Sequence, residues 1–93
     1  MNDMNDNIRN QIGIAAYYLS QKNYTYDTLC WMLAERQLIA QNDPMYANRE
    51  KIREMAAKIY FDSLHYDVLI WLIAELDVML KIQPSRKPQD RII

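Results

Sequence analysis

The sequence is poor in residues that form turns and cross-links. Its 93 residues include one glycine, three prolines and one cysteine. Turn-rich β architectures need glycine and proline, whereas helices joined by short loops do not, so the composition favours an all-α fold. The single Cys30 cannot form an internal disulfide and lies in an apolar run, which fits a reducing, cytoplasmic setting.

The chain also lacks a large net charge and a long apolar segment. Its formal net charge is −1 and its pI about 5.7, whereas a basic excess is typical of proteins that bind phosphate backbones. The most apolar stretch, residues 68–74, is far shorter than the roughly 20 residues that cross a membrane. Residues 1–7 are polar and do not resemble a signal peptide. We therefore expect a cytoplasmic protein with no membrane-spanning helix.

One ten-residue pattern occurs twice. Residues 26–35 and 66–75 stand forty residues apart and share six identical positions, namely Tyr, Asp, Leu, Trp, Ala and Glu. Asp27 and Asp67 fall where a carboxylate meets the free N–H groups of a helix start. The repetition predicts a duplicated helical unit.

Helical periodicity predicts four helices in a single domain, residues 1–83, with one repeat over about 5–41 and another over about 44–82. Pro44 is predicted to take the first position of the third helix. Residues 84–93 show no periodicity and are predicted to be a flexible tail.

The two halves are predicted to fold alike. The first and third helices align through Ile-Arg at 8–9 and at 52–53, an offset of 44. Each half is then a helical hairpin, and the two hairpins are predicted to form a four-helix bundle with a pseudo-two-fold axis.

The repeated motifs suggest a family. The second half has Ile-Arg at 52–53 and Trp-Leu-Ile-Ala-Glu at 71–75, and the first half has Ile-Arg at 8–9 and Trp-Met-Leu-Ala-Glu at 31–35. This pattern resembles tandem copies of a short bacterial helical domain of unknown function. The resemblance implies a helical fold over most of the chain and carries no established activity.

The two repeated glutamates are predicted to form structural ion pairs between helices, Arg9 with Glu35 and Arg53 with Glu75. Such a pair fixes the register of a hairpin more than it adds stability. A metal site is the alternative, but inward carboxylates in di-iron bundles need histidine partners, and His65 is the single histidine. We expect no metal and no cofactor.

No catalytic residues are predicted. The chain has no phosphate-binding loop, and with a single histidine it offers no plausible catalytic triad. Cys30 has no basic neighbour in the pattern and is expected to act as a small apolar residue. Trp31 and Trp71 are candidate partner anchors, but the repetition of whole helices favours a role in filling each hairpin, against Tyr17 or Phe61.

The clearest difference between the halves is the apolar content of the fourth helix. Arg36, which is expected to face water, and Ala40 correspond to Leu76 and Leu80. A helix that is apolar on most sides is either central to a core or covered by a partner. The candidate partner-binding residues are Leu69, Leu72, Leu76, Met79 and Leu80.

The predicted function is a small non-catalytic protein–protein interaction module, acting as an adaptor, inhibitor or regulatory subunit. Its partner is another protein or a second copy that forms a homodimer on the fourth helix. The alternative is a nucleic-acid-associated regulator that uses the third helix and the basic tail, which carries Arg86, Lys87 and Arg91.

Overall fold

Four helices form the molecule. The computed structural model describes residues 3–82, with side chains from residue 6 onward. The helices are α1 (Asp3–Gln21), α2 (Tyr26–Ala40), α3 (Arg49–Phe61) and α4 (Tyr66–Ile82). No strand occurs within these residues, so the prediction of an all-α fold with four helices is confirmed. The predicted tail, residues 84–93, lies outside the described residues.

The loops after α1 and α3 have the same geometry. Each loop contains one residue in the left-handed region, Asn23 with φ 56° and Ser63 with φ 58°. Asparagine tolerates this conformation better than most residues. These two turn residues stand forty residues apart.

The start of α3 was predicted too early. Asp43 Oδ1 accepts a hydrogen bond from the backbone N–H of Met45 at 2.8 Å, so its side chain stabilises a turn that competes with a helix. Successive turns follow until Asn48, whose side chain accepts from the N–H of Lys51 at 2.9 Å. Asn48 is the N-cap, so α3 begins at Arg49 and not at Pro44.

The helices α2 and α4 lie at the centre of the molecule with their N-termini together. The Tyr26 hydroxyl donates a hydrogen bond to the carbonyl of Leu64, and the Tyr66 hydroxyl donates one to the carbonyl of Tyr24, each at 2.5 Å. These two bonds are reciprocal, because each tyrosine reaches the loop that precedes the other helix.

A charged contact joins the same helices nearer their C-termini. Arg36 Nε donates to Asp77 Oδ1 at 2.8 Å, and a second Arg36 nitrogen donates to the carbonyl of Met32 at 3.3 Å. Contacts at both ends therefore join similar heights of α2 and α4, which shows that the two helices run parallel. Arg36 was expected to face water, but its side chain is only 25% exposed.

The core is formed mainly by α2 and α4. Its fully buried large side chains are Leu29, Leu33, Leu38, Leu69 and Ile73. Burying one such side chain contributes about 1.5–3 kcal/mol. The parallel pair therefore supplies most of the apolar burial, and α3 adds Ile52 and Ile59 to the same cluster.

The outer helices each pack on one central helix. The main contacts are α1 on α4, α3 on α2, and α2 on α4. Helix α1 ends at the short loop before α2, where the N-termini of α2 and α4 meet, so α1 runs antiparallel to α4, and its Ile12 clusters with Ala74 and Val78. The helices follow the order α1, α4, α2, α3 across a flat molecule that measures 38 × 35 × 21 Å.

This order differs from the predicted pair of hairpins. Each outer helix packs mainly on the central helix of the other half, although a short loop joins it to its own. The physical reason is that α2 and α4 are apolar on two sides. They bury one side against each other, and each then needs an outer helix on the second side.

The buried isoleucines of α1 and α3 do not follow the predicted offset of 44. Ile12 and Ile52 are both buried, at 7% and 3% exposure, and they stand forty residues apart. The turn residues Asn23 and Ser63 and the buried residues Ile12 and Ile52 therefore share one offset, forty residues. It makes Arg9 the counterpart of Arg49, where the sequence comparison had aligned it with Arg53.

We expect Tyr26→Phe to lower the free energy of unfolding by about 0.5–1.5 kcal/mol, because the Leu64 carbonyl loses its donor. Urea unfolding followed by circular dichroism measures this change. Tyr18→Phe is the control, since Tyr18 is 63% exposed, and it should leave stability unchanged. Equal losses in the two variants would show that the hydrogen bond does not stabilise the fold.

Candidate functional site

An open groove lies between α1 and α4. It has a volume of about 570 Å³. The groove, which we call the Trp71 cleft, is lined by Ile8, Arg9, Ile12, Trp71, Glu75, Leu76 and Met79. Trp71 is 40% exposed and Met79 is 39% exposed, so the cleft offers accessible apolar surface beside one cation and one anion.

Helical spacing explains why these side chains meet. Trp71, Glu75 and Met79 are four residues apart, which places them along one face of α4. Ile8 and Ile12 have the same spacing on α1, and Ile12 anchors that helix on Ala74 and Val78 of α4. The cleft therefore lies along the contact between α1 and α4.

A second groove lies between α3 and α2. It has a volume of about 370 Å³, and we call it the Trp31 cleft. It is lined by Trp31, Glu35, Ile39, Tyr46, Ala47, Arg49 and Ile52. Five of these positions stand forty residues from a residue of the Trp71 cleft. They are Arg49, Ile52, Trp31, Glu35 and Ile39, matching Arg9, Ile12, Trp71, Glu75 and Met79 in that order.

The two clefts differ in how the tryptophan is covered. Tyr46 and Ala47, from the turns that precede α3, border the Trp31 cleft. The Arg49 guanidinium lies 5.4 Å from the centre of the Trp31 ring, which is a cation–π contact. In the Trp71 cleft the chain before Arg9 continues as helix α1 instead, and Trp71 stays exposed.

The predicted ion pairs are replaced by others. Arg9 does not pair with Glu35, because α1 packs on α4, and it lines the Trp71 cleft together with Glu75. Arg53 does not pair with Glu75 but donates to Glu50 on its own helix at 3.1 Å. Each of these arginines therefore lies beside a different glutamate from the one predicted.

Glu35, the glutamate of the first repeated motif, also forms an ion pair within its own helix. Glu35 lies 3.5 Å from Arg36, the arginine that bonds to Asp77 of α4. Exposed pairs of this kind contribute roughly 0–1 kcal/mol. The pair of Arg36 with Asp77 therefore fixes how α2 aligns with α4 more than it adds stability.

The predicted partner-binding residues of α4 separate into three groups. Leu69 has no exposed surface and belongs to the core, so it cannot contact a partner. Leu72, Leu76 and Leu80 are half-buried, because α4 is the central helix that α1 and α2 cover. Met79 is the most accessible of the set, and Leu76 lies beside it in the Trp71 cleft.

Neither tryptophan fills its own hairpin as predicted. Trp31 is half-buried and faces α3, whereas Trp71 is exposed and faces α1. The aromatic residues expected to cover them are themselves exposed, Tyr17 at 59% and Phe61 at 81%. Both lie near the ends of the outer helices.

Cys30 is 1% exposed, and burial raises the pKa of its thiol, with a further rise from the nearby Asp27 carboxylate. Desolvation likewise raises the pKa of Tyr26, helped by Cys30, Tyr60 and Asp62. Both groups therefore stay protonated near neutral pH. The thiol is a poor nucleophile, and the tyrosine remains a hydrogen-bond donor.

Within residues 3–82, no three His, Cys, Asp or Glu side chains are grouped closely enough to hold a metal ion. Over the same residues, none of the helices combines the length and hydrophobicity that crossing a membrane requires.

Reasoning from the sequence missed Arg49 and the open state of the Trp71 cleft, and it placed Arg9 beside Glu35 instead of Glu75. One signal could have found them. The offset of forty, carried back into α1, matches Arg9 with Arg49 and Ile12 with Ile52. The exchange of outer helices between the halves has no comparable signal in the sequence.

Comparison with known proteins gives no match to a family model, to a curated protein or to a solved structure.

We expect Cys30 in the folded protein to react with a thiol reagent at pH 8 far more slowly than in the urea-unfolded protein, because it is buried and protonated. The rate of colour release from a disulfide reagent measures this difference. Equal rates in the two states would show that the thiol is accessible and ionised.

Proposed function

We propose that the chain is a non-catalytic protein–protein interaction module that binds its partner in the Trp71 cleft, as an adaptor, inhibitor or regulatory subunit. One observation carries the proposal. Trp71 is 40% exposed in an apolar groove, whereas the matching Trp31 is half-buried and has the Arg49 guanidinium 5.4 Å from its ring centre.

The chemistry of the cleft suits a protein ligand. Tryptophan, methionine and arginine are enriched at protein interfaces, and tryptophan and arginine also dominate their binding energy. Trp71 and Met79 supply an apolar floor, while Arg9 and Glu75 supply one charge of each sign for orienting a partner. Of the residues predicted from the sequence, Leu76 and Met79 belong to this surface.

We also propose that the two halves are copies of one helical unit, related by a pseudo-two-fold axis between the parallel helices α2 and α4. The reciprocal bonds from Tyr26 to Leu64 and from Tyr66 to Tyr24 support it. The matched lining of the two clefts supports it as well. The resemblance to tandem copies of a bacterial helical domain belongs to this proposal.

The alternative function in nucleic-acid binding receives little support from the contacts of α3. Arg49 stacks on Trp31 and Arg53 is bonded to Glu50. Both arginines are thus engaged within the molecule, and releasing them to bind phosphates would break these contacts. A protein partner or a second copy of the chain is the better candidate.

We expect Met79→Glu to abolish partner capture, because it places a carboxylate on the apolar floor of the Trp71 cleft beside Glu75. Affinity purification from the native organism, with mass spectrometry of the bound proteins, compares the variant with the unchanged chain. Light scattering of the purified protein tests in parallel whether the partner is a second copy.

The chain offers a matched control, Ile39→Glu. Ile39 is the counterpart of Met79 and is equally exposed, at 41% against 39%, but it lies in the Trp31 cleft. Ile39→Glu should retain the partner, and circular dichroism should show both variants folded. Recovery of the same proteins, or the same oligomer, with Met79→Glu would exclude the Trp71 cleft as the binding surface.

A further inference from the structure

The charged groups of the Trp31 cleft have partners within the molecule. The Arg49 guanidinium lies 5.4 Å from the centre of the Trp31 ring, which is a cation–π contact. The Glu35 carboxylate lies 3.5 Å from a nitrogen of Arg36. The cation and the anion of this cleft are therefore both engaged by the chain's own side chains.

The matching charges of the Trp71 cleft have no such partners. Among residues 6–82, whose side chains the structure describes, neither Arg9 nor Glu75 forms a side-chain hydrogen bond or an ion pair. Both line the same cleft without pairing with each other. Leu76 stands where Arg36 follows Glu35 in the first motif, so the half-buried Glu75 lacks the neighbouring cation that its counterpart has.

The α1 side of the Trp71 cleft is also more open than its counterpart. Gly13 follows Arg9 by one turn of α1, and it stands forty residues before Arg53, whose side chain lines a groove beside Trp31. A Cβ atom at Gly13 would meet no atom within 4 Å. Glycine within a helix costs stability, and no contact among the described residues requires it here. Space beside Trp71 therefore remains for a second molecule.

The charges of the cleft are complementary to those of the same cleft in a second copy. Arg9 lies on α1, one wall of the cleft, and Glu75 lies on α4, the other wall. A two-fold axis perpendicular to the groove exchanges the walls, so it places α1 of each copy against α4 of the other. In such a contact each residue meets its partner twice, once in each direction. Both unpaired charges are then matched, and the exposed Trp71 and Met79 are covered.

We infer that the Trp71 cleft binds the Trp71 cleft of a second copy, forming a symmetric homodimer in which Arg9 of each chain pairs with Glu75 of the other. This inference rests on the proposed function, because it uses the same surface and names its partner. Trp71 and Met79 supply the apolar centre of the contact, and the two ion pairs fix its orientation.

The test reverses the two charges in separate full-length chains. Arg9→Glu and Glu75→Arg each bring like charges together at both contacts of the dimer, so each variant alone should raise the dissociation constant at least about tenfold. Mixing the two variants should restore association, because the mixed pair has opposite charges at both contacts. Sedimentation velocity over a range of concentrations measures these constants. Rescue by mixing cannot arise from a contact within one chain.

Two further variants separate dimerisation from a general loosening of the fold. Glu35→Arg is the matched control for Glu75→Arg, because Glu35 is the counterpart in the Trp31 cleft, and it should leave the dissociation constant unchanged. Met79→Glu adds a carboxylate to the Trp71 cleft without touching either ion pair, and it should also weaken the dimer. Circular dichroism should show that each variant keeps its helical content.

A chain that stays monomeric at every concentration, alone and in the mixture, would overturn the inference. A dimer that survives both charge reversals would overturn it as well, because the second copy would then bind elsewhere. A monomeric chain that captures another protein, and loses it with Met79→Glu, would contradict the homodimer but support the interaction module. A failure of the homodimer therefore differs from a failure of the proposed function.

Discussion

The parallel packing of α2 on α4 is the contact on which the rest of the structure depends. It buries the fully enclosed leucines, and it is held at one end by the reciprocal tyrosine bonds and toward the other by Arg36 and Asp77. Because both helices are apolar on two sides, pairing them leaves two apolar faces to cover. The outer helices α1 and α3 cover these faces.

This arrangement explains where exposed apolar surface remains. Each outer helix is antiparallel to the central helix it covers, and a groove opens beside a tryptophan on each side of the molecule. The chain between α2 and α3 borders one groove with Tyr46 and Ala47. Helix α1 replaces that segment in the other half, so the same fold yields one half-buried tryptophan, Trp31, and one exposed tryptophan, Trp71.

The apolar excess of α4 therefore has two explanations that act together. Its position between α1 and α2 accounts for Leu69 in the core and for the half-buried Leu72 and Leu80. Met79 and Trp71 lie outside those contacts and form an accessible surface. The binding proposal depends on these two residues and not on the hydrophobicity of the helix as a whole.

The sequence by itself determined the helical class, the number of helices and the starts of α2 and α4, since these follow from the scarcity of glycine, from periodicity and from capping. It also marked the positions of both tryptophans through the repeat. Only the tertiary structure decided which outer helix covers which central helix. Identical local patterns pack equally well on either copy, so the choice between Glu35 and Glu75 as the neighbour of Arg9 depends on the global packing of four helices.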